Sequence, residues 1–522
     1  MVSRPRVMGL IVPLTAIAVW QLLVSADVLD YEYLPAPRDV ADALADLVQT
    51  GELVDDLAHT LGVALAAAVI TLTVGGALGL VIGLVPTLRK YLMASVDVLR
   101  TIPAVALVPV AVLTFGPAVT TELILAVYAA LWPVLLHTAA GVAAVHPRQY
   151  DVARTLHLSR ATTVRKIVIP AVVPAWLVGA RLAAVVALLV AIAAEMTSSP
   201  QGLGGGLIES LNALAPARMW AYALVAGTAG YLLNTALRAV VRTGSSSSPA
   251  YPARAMTNAA DHVGESATTP LRGLVPLATL LIVWQLVASD DSLSFPPPDE
   301  WLGAIARMYD EGVLLPAIGQ TLTTFVVALA LAALIGAIVG IAIGASPRID
   351  RTLSPTVDFL AAVPGATFVP VAVLILGTSL VSGVAVVALV VSWPILLNTA
   401  TAMRAVPAVR LDMSRTLGLS TGERWRKVIL PTLAPGIMLG VRVAASMALI
   451  ITLLVDILGA GEGIGRLLVE SQQKFDARAV WGLLLIVGTV GYLTSATLAR
   501  VAAQLTRPAE YGSATAGRRS TR

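Results

Sequence analysis

Long apolar stretches alternate with short polar ones along the whole chain. Apolar segments cover residues 9–25, 58–85, 98–116, 121–140, 170–195 and 220–241. A second set covers 273–289, 319–346, 359–377, 381–401, 431–456 and 481–503. Each is close to the roughly 20 residues that a helix needs to cross a hydrocarbon core. Several contain Gly or Pro, which membrane helices tolerate better than soluble ones. The pattern predicts an all-α polytopic membrane protein of about twelve transmembrane helices, six in each half.

The two sets are copies of each other. Asp97, Pro103, Pro109 and Gly116 recur as Asp358, Pro364, Pro370 and Gly377, and Trp132-Pro133 as Trp393-Pro394. Pro170, Pro174, Gly179 and Arg181 recur as Pro431, Pro435, Gly440 and Arg442. The offset of 261 holds from Thr60/Thr321 to Tyr231/Tyr492, and only Trp20/Trp284 is displaced, by three residues. The domains read as a first repeat over 1–242, a flexible linker over 243–270 containing Ser245–Ser248, a second repeat over 271–506 and a tail over 507–522. A small folded linker domain is the weaker alternative. Arg4 and Arg6 before the first segment also fit a signal peptide, but the equivalent segment at Trp284 is internal, where no cleaved signal sits.

Composition closes off other classes. Of 522 residues, 57% are hydrophobic and 13% charged, against about 25% charged in soluble domains. A soluble fold has too little interior for that apolar content. The net charge of +4 comes without a basic run interleaved with aromatics, so no nucleic-acid partner is expected. There are no cysteines, and the five histidines show no metal-ligand spacing. Neither a metal nor a cofactor is expected, nor a P-loop or a nucleophile–base pair.

Loop charges set an expected orientation. Residues 26–56 carry nine acidic residues against Arg38, and residues 290–318 carry six against Arg307. Residues 146–166 carry five basic residues against Asp151, and residues 404–427 carry six against Asp412 and Glu423. Basic loops stay in the cytoplasm. Both termini, the linker and the loop after each fourth span are therefore expected there, in the cell membrane. With six spans per half, the repeats point the same way.

The loop after the fourth span reads Asp151-Val152-Ala153-Arg154-Thr155-Leu156-His157-Leu158-Ser159, repeated as Asp412-Met413-Ser414-Arg415-Thr416-Leu417-Gly418-Leu419-Ser420. Each continues through a basic pair to Ile169-Pro170 or Leu430-Pro431. Asp151, Arg154, Thr155 and Leu158 share one helix face by spacing. A short helix, a turn and a second helix entering the membrane would make a compact knob, although a basic loop attracted to anionic lipid gives the same charge pattern.

These loops resemble the EAA loop of ABC-importer membrane subunits: an acidic residue, small residues, a glycine and a closing Leu-Pro. Leu99-Arg100-Thr101-Ile102-Pro103, with Ala106, Pro109 and Gly116, and Trp132-Pro133 through Thr138 are similar to the nitrate/sulfonate/taurine branch of that family. The resemblance spans nearly all of both halves. It implies a fused pair of permease subunits that is not itself an enzyme. Expected partners are two cytoplasmic ABC ATPase subunits, an extracytoplasmic substrate-binding protein, the lipid bilayer and a small solute, which the branch's substrates imply to be a small anion such as nitrate, taurine or sulfonate. The coupling residues it implies are Asp151, Ala153, Arg154, His157 and Leu158, with Asp412, Ser414, Arg415, Gly418 and Leu419. His157 departs from the family's glycine. A left-handed turn is expected to survive there, because His is among the less disfavoured residues at positive φ.

Charged residues inside the fifth spans give a further set. Arg181 and Arg442 lie mid-span, where an Arg costs about 2.5–3.5 kcal/mol on insertion scales. They either line the translocation path or pair structurally, with Asp97 and Asp358 as candidate partners. Glu195 and Asp456 end the same spans, followed by Gly202-Leu203-Gly204 and Gly463-Ile464-Gly465. The resemblance places these at the outer mouth of the path, and an interfacial carboxylate on an ordinary turn is the alternative. A major-facilitator secondary transporter also has two parallel six-span halves, but its motif loop would follow the second span. A structural membrane scaffold would not need a duplicated knob.

Overall fold

The computed structural model describes residues 7–26, 28, 33–244, 270–289, 292, 294–459 and 461–505. The linker and tail expected at 243–270 and 507–522 lie almost wholly outside these. The first repeat contains α1 (Val7–Ser25), α2 (Pro37–Gln49), α3 (Glu52–Leu84), α4 (Pro86–Leu99), α5 (Val108–Phe115), α6 (Val119–Ala143), α7 (Pro147–Thr155), α8 (Arg160–Thr163), α9 (Ile169–Ser198), α10 (Gly202–Asn212) and α11 (Pro216–Gly244). The second contains α12 (Val275–Val287), α13 (Pro298–Asp310), α14 (Leu314–Ala345), α15 (Pro347–Leu360), α16 (Phe368–Leu376), α17 (Leu380–Arg404), α18 (Ala408–Thr416), α19 (Thr421–Arg424), α20 (Leu430–Ile457), α21 (Ile464–Gln473) and α22 (Ala477–Leu505). Each element of the first repeat has its counterpart eleven places on.

Among the described residues, eight helices are long and apolar enough to cross a membrane. The two first segments are shorter apolar helices, described over Ile11–Ser25 and Val275–Val287. The two third segments, expected as straight spans at 98–116 and 359–377, are broken. α4 meets Ala104–Phe115 at 77°, and α15 meets Gly365–Leu376 at 83°. The cause is local. Pro103 and Pro364 carry no N–H, and the residue before a proline is driven out of the α region. At the first bend the Leu99 carbonyl accepts from Ile102 N–H at 3.1 Å and from the Tyr128 hydroxyl at 2.6 Å.

In each repeat the third, sixth and ninth helices form the bundle centre, α3·α6·α9 and α14·α17·α20. Small residues let them approach. Gly75, Gly79 and Gly83 lie every four residues along α3, and Gly336, Gly340 and Gly344 along α14. A Cβ at Gly79 or Gly340 would overlap the Leu135 or Leu396 carbonyl of the facing helix. Small-residue faces of this kind drive helix association in lipid, where tails remove the hydrophobic drive between helices. Val69, Val74 and Val81 of α3, with Leu334 and Ile338 of α14, stay exposed on the outer flanks, the apolar coat that acyl chains cover.

The repeats interlock. α1 packs against α15 of the second repeat, and α12 against α4 of the first. The Ser95 hydroxyl donates to the Gly273 carbonyl at 2.6 Å just before α12. Past the bends, Ala106 and Val110 enter the second repeat's core with Leu449 and Val487, while Ala366 and Val371 enter the first repeat's core with Leu188 and Ala226. The exchange is reciprocal, as expected of parallel copies around a pseudo-twofold axis.

Candidate functional site

Two features recur at opposite ends of each bundle. At one end are the knobs. α7 ends in a Schellman turn: Leu158 N–H donates to the Ala153 carbonyl at 2.9 Å and His157 N–H to the Arg154 carbonyl at 3.0 Å. α18 ends in the same way, Leu419 to Ser414 at 3.1 Å and Gly418 to Arg415 at 3.0 Å. His157 has φ 51° and Gly418 φ 67°. Both turns are left-handed, so the imidazole replaces glycine without changing the fold of the knob.

Ala153 and Ser414 are buried against the loop, which explains the small residues the motif demands. Asp151 pairs with Arg154 at 3.3 Å and Asp412 with Arg415 at 3.1 Å, both largely exposed. Leu158 and Leu419 are half-buried. The sequence reading missed the exposed apolar side chains: Val152 and Leu156 on the first knob, Met413 and Leu417 on the second. Their spacing of four was visible, but exposure was not.

Behind each knob, residues Val164–Val168 and Trp425–Ile429 form one π-helical turn. Pro170 and Pro431 offer no amide to the Lys166 and Lys427 carbonyls, and that mismatch favours the wider turn. The wide turn carries the basic pairs Arg165-Lys166 and Arg426-Lys427.

At the other end, Glu195 and Asp456 are fully buried rather than interfacial. Glu195 Oε2 accepts from the Thr60 hydroxyl at 3.0 Å and from Gly204 N–H at 2.9 Å, while Leu203 N–H donates to Thr60 Oγ1 at 2.9 Å. Asp456 Oδ2 accepts from Thr321 at 3.0 Å, and Ile464 N–H donates to Thr321 Oγ1 at 2.8 Å. The acid, the threonine and the Gly-x-Gly segment thus form one node that joins three helices. A Cβ at Gly204 would overlap the Ile192 carbonyl and the Glu195 Cβ; one at Gly465 would overlap Leu453 and Asp456 in the same way.

Around the first node lies a charged network. Arg218 pairs with Glu52 at 2.6 Å. The Tyr222 hydroxyl and Gly202 N–H donate to Asp56 at 2.8 and 2.9 Å. His59 Nε2 lies 2.8 Å from Glu122 Oε2.

The mid-span arginines are both half-buried. Arg181 donates to Asn234 Oδ1 of α11 at 3.1 and 3.3 Å. Asp97, offered by the sequence as its partner, pairs instead with its own neighbour Arg100 at 2.9 Å. A residue three positions on reaches it with less ordering than a side chain on another helix.

Comparison with known proteins supplies the family. Residues 75–243 and 332–509 each match the family described as binding-protein-dependent transport system inner membrane component. The aliphatic sulfonates transport permease protein SsuC of Bacillus subtilis is 28% identical over 238 residues, 45% of this chain and 85% of its own length. The bicarbonate transport system permease protein CmpB of Synechocystis is 28% identical over 229 residues, 41% and 80%. The nitrate import permease protein NrtB of Leptolyngbya laminosa is 27% identical over 267 residues, 49% and 95%. Each relative corresponds to about one repeat. Two family domains with these relatives displace the major-facilitator alternative. The chain belongs to the binding-protein-dependent inner membrane components, on the nitrate/sulfonate/taurine branch, and is a multi-pass ABC-importer permease subunit, not an enzyme, carrying two copies of the family domain.

Proposed function

We propose that this one chain supplies both membrane halves of an importer for a small anion, and that each knob docks on one of two cytoplasmic ATPase subunits. The observation that carries the reading is the duplicated knob. It is a rigid turn ending a short helix, with two apolar side chains exposed one turn apart and an ion pair beside them. Val152 with Leu156, and Met413 with Leu417, are the kind of apolar contact that a partner's groove covers. In this reading the basic loops and both termini lie on the cytoplasmic side, and the opposite end, with its nodes, meets an extracytoplasmic binding protein.

A knob fixed to α9 or α20 through its π turn moves as a rigid body with that helix. The same helices hold Arg181 and Arg442 at mid-length and Glu195 and Asp456 at the far end. ATPase closure would therefore reach the far node along one element. In this scheme the arginines face the path and favour an anion, in line with relatives named for sulfonate, bicarbonate and nitrate, while Glu195 and Asp456 hold the gate segment.

The test is assembly. Ala153→Trp with Ser414→Trp removes the space behind both Schellman turns. The ATPase should no longer co-purify, while the chain stays in the membrane. Wild-type complexes should contain one copy of this chain per two ATPase subunits by native mass measurement. Two copies per ATPase pair, or intact assembly in the double variant, would refute the reading. Arg181→Gln with Arg442→Gln should lower uptake of nitrate, bicarbonate or a sulfonate with assembly intact.

A further inference from the structure

The fold assembles a cluster at the node end of the first repeat that no sequence spacing announces. His59 comes from the second turn of α3, Glu122 from the first turn of α6 and Glu195 from the last turn of α9. One donor atom from each lies within 4.8 Å of the other two. Glu122 and Glu195 are fully buried, and the His59 side chain is 16% exposed. Among the described residues, Glu122 Oε1 and Glu195 Oε1 have no hydrogen-bond partner. From this juxtaposition we propose that His59, Glu122 and Glu195 bind one divalent transition-metal ion of the zinc or manganese type.

Charge and chemistry both support a cation. With both carboxylates ionised, the form that a cation would bind, the buried trio carries two negative charges. Removing a charge from water costs several kcal/mol unless it is matched. The neighbours do not match it. Asp56 adds another carboxylate, and Arg218 is already engaged with Glu52. One imidazole with two carboxylates suits zinc or manganese, whereas magnesium and calcium prefer all-oxygen sets. Three protein ligands leave a fourth position for water, consistent with the partial exposure of His59.

Geometry is near what such an ion needs. Ligands about 2.1 Å from a tetrahedral metal stand roughly 3.4 Å apart. The His59–Glu122 contact of 2.8 Å must therefore open by about half an ångström, and the Glu195 carboxylate oxygen, within 4.8 Å of both, must settle at a similar spacing. The supporting contacts are in place. Thr60 and Gly204 fix Glu195 through Oε2 and leave Oε1 for the ion, the outer-shell arrangement that orients metal ligands.

The second repeat supplies an internal control. The counterparts of His59 and Glu122 are Gln320 and Gly383. Asp456 Oδ1 is also without a hydrogen-bond partner, but neither an imidazole nor a second carboxylate stands at the equivalent positions. The trio is absent where the scaffold is otherwise the same. A bound ion would fasten α3, α6 and α9 at the gate end of one repeat only.

The experiment uses the full chain in detergent or nanodiscs, without a polyhistidine tag, stripped with chelator and titrated with Zn2+, Mn2+, Mg2+ and Ca2+. Bound metal is measured by mass spectrometry and the melting midpoint is followed. One Zn2+ or Mn2+ per chain with a raised midpoint is expected, and no saturable uptake of Mg2+ or Ca2+. Glu122→Gln keeps the side-chain shape, and His59→Gln with Glu122→Gly installs the residues that the second repeat already folds with. Both should lose more than 100-fold in affinity while melting like chelated wild type. Thr60→Val should lose 10- to 100-fold through the outer shell. Absence of Zn2+ and Mn2+ binding, equal binding of Mg2+ or Ca2+, or undiminished binding in the Glu122 variants would overturn the site. None of these readouts depends on transport, so failure here leaves the docking proposal standing, and the reverse.

Discussion

The two repeats agree at one end and part company at the other. At the knob end even a His-for-Gly exchange leaves the same Schellman turn, with φ 51° and 67°. At the node end the acid–threonine–Gly-x-Gly unit is preserved, but its surroundings are not. Glu52, Asp56, Arg218 and Tyr222 of the first repeat stand where the second has Val313, Ala317, Ala479 and Leu483. Ala317, Ala479 and Leu483 are buried in the second repeat's core. A unit that satisfies buried backbone amides is hard to change one residue at a time, because each intermediate orphans a donor or acceptor. A charged cluster beside it can be exchanged wholesale for an apolar one at little net cost, since its half-exposed Arg218–Glu52 pair contributes little. One scaffold thus carries the same left-handed turn at its two knobs and two chemically distinct node ends.

Removing the node acid should break that picture most. Glu195→Ala or Asp456→Ala leaves the threonine hydroxyl and the glycine amide buried without an acceptor, costing roughly 2–4 kcal/mol in all. The two variants should lower the chelated protein's melting midpoint alike. A loss confined to one repeat would show that the nodes are not equivalent. Next comes close approach. Gly204→Ala and Gly465→Ala each force a methyl into a backbone carbonyl, and about 1–3 kcal/mol of destabilisation is expected in either repeat, read by the same melt.

At the knobs the expected effects are smaller and of opposite sign. Gly418→Ala puts a side chain in the left-handed region and should cost about 1 kcal/mol. His157→Gly should be neutral or slightly stabilising, with ATPase co-purification unchanged; a large loss there would give the imidazole a role in docking. A small effect is also expected at the half-exposed Arg218–Glu52 pair. Arg218→Ala should cost less than about 1 kcal/mol and vanish in high salt. A larger, salt-insensitive loss would make the charged network a structural requirement of the first repeat.

Much of this was readable along the chain. The offset of 261, the apolar segments and the twin loops each lie within one stretch, so local spacing sufficed. The turn at His157 was legible too, because its geometry is a property of a few consecutive residues. The bends at Pro103 and Pro364 were only half legible. The prolines were visible, but a bend of 77° or 83° depends on what the tip packs into, and that is the other repeat. The short helices α2 and α13, which bury Val40 and Leu47 or Trp301 and Met308, lay hidden in loops read mainly for charge.

What the sequence determined by itself is the membrane class, the duplication, the family and the knob, since each rests on composition or on neighbours within a few turns. Only the tertiary structure decided which distant groups meet. Arg181 goes to Asn234. Glu195 turns inward to Thr60 and Gly204. His59, Glu122 and Glu195, 63 and 135 residues apart along the chain from His59 or its neighbour Thr60, converge at one end of three helices. The reason is physical. Helix periodicity fixes the face a side chain occupies, but the partner on that face is chosen by how Gly-lined helices slide and cross, and that is settled by packing along their whole length.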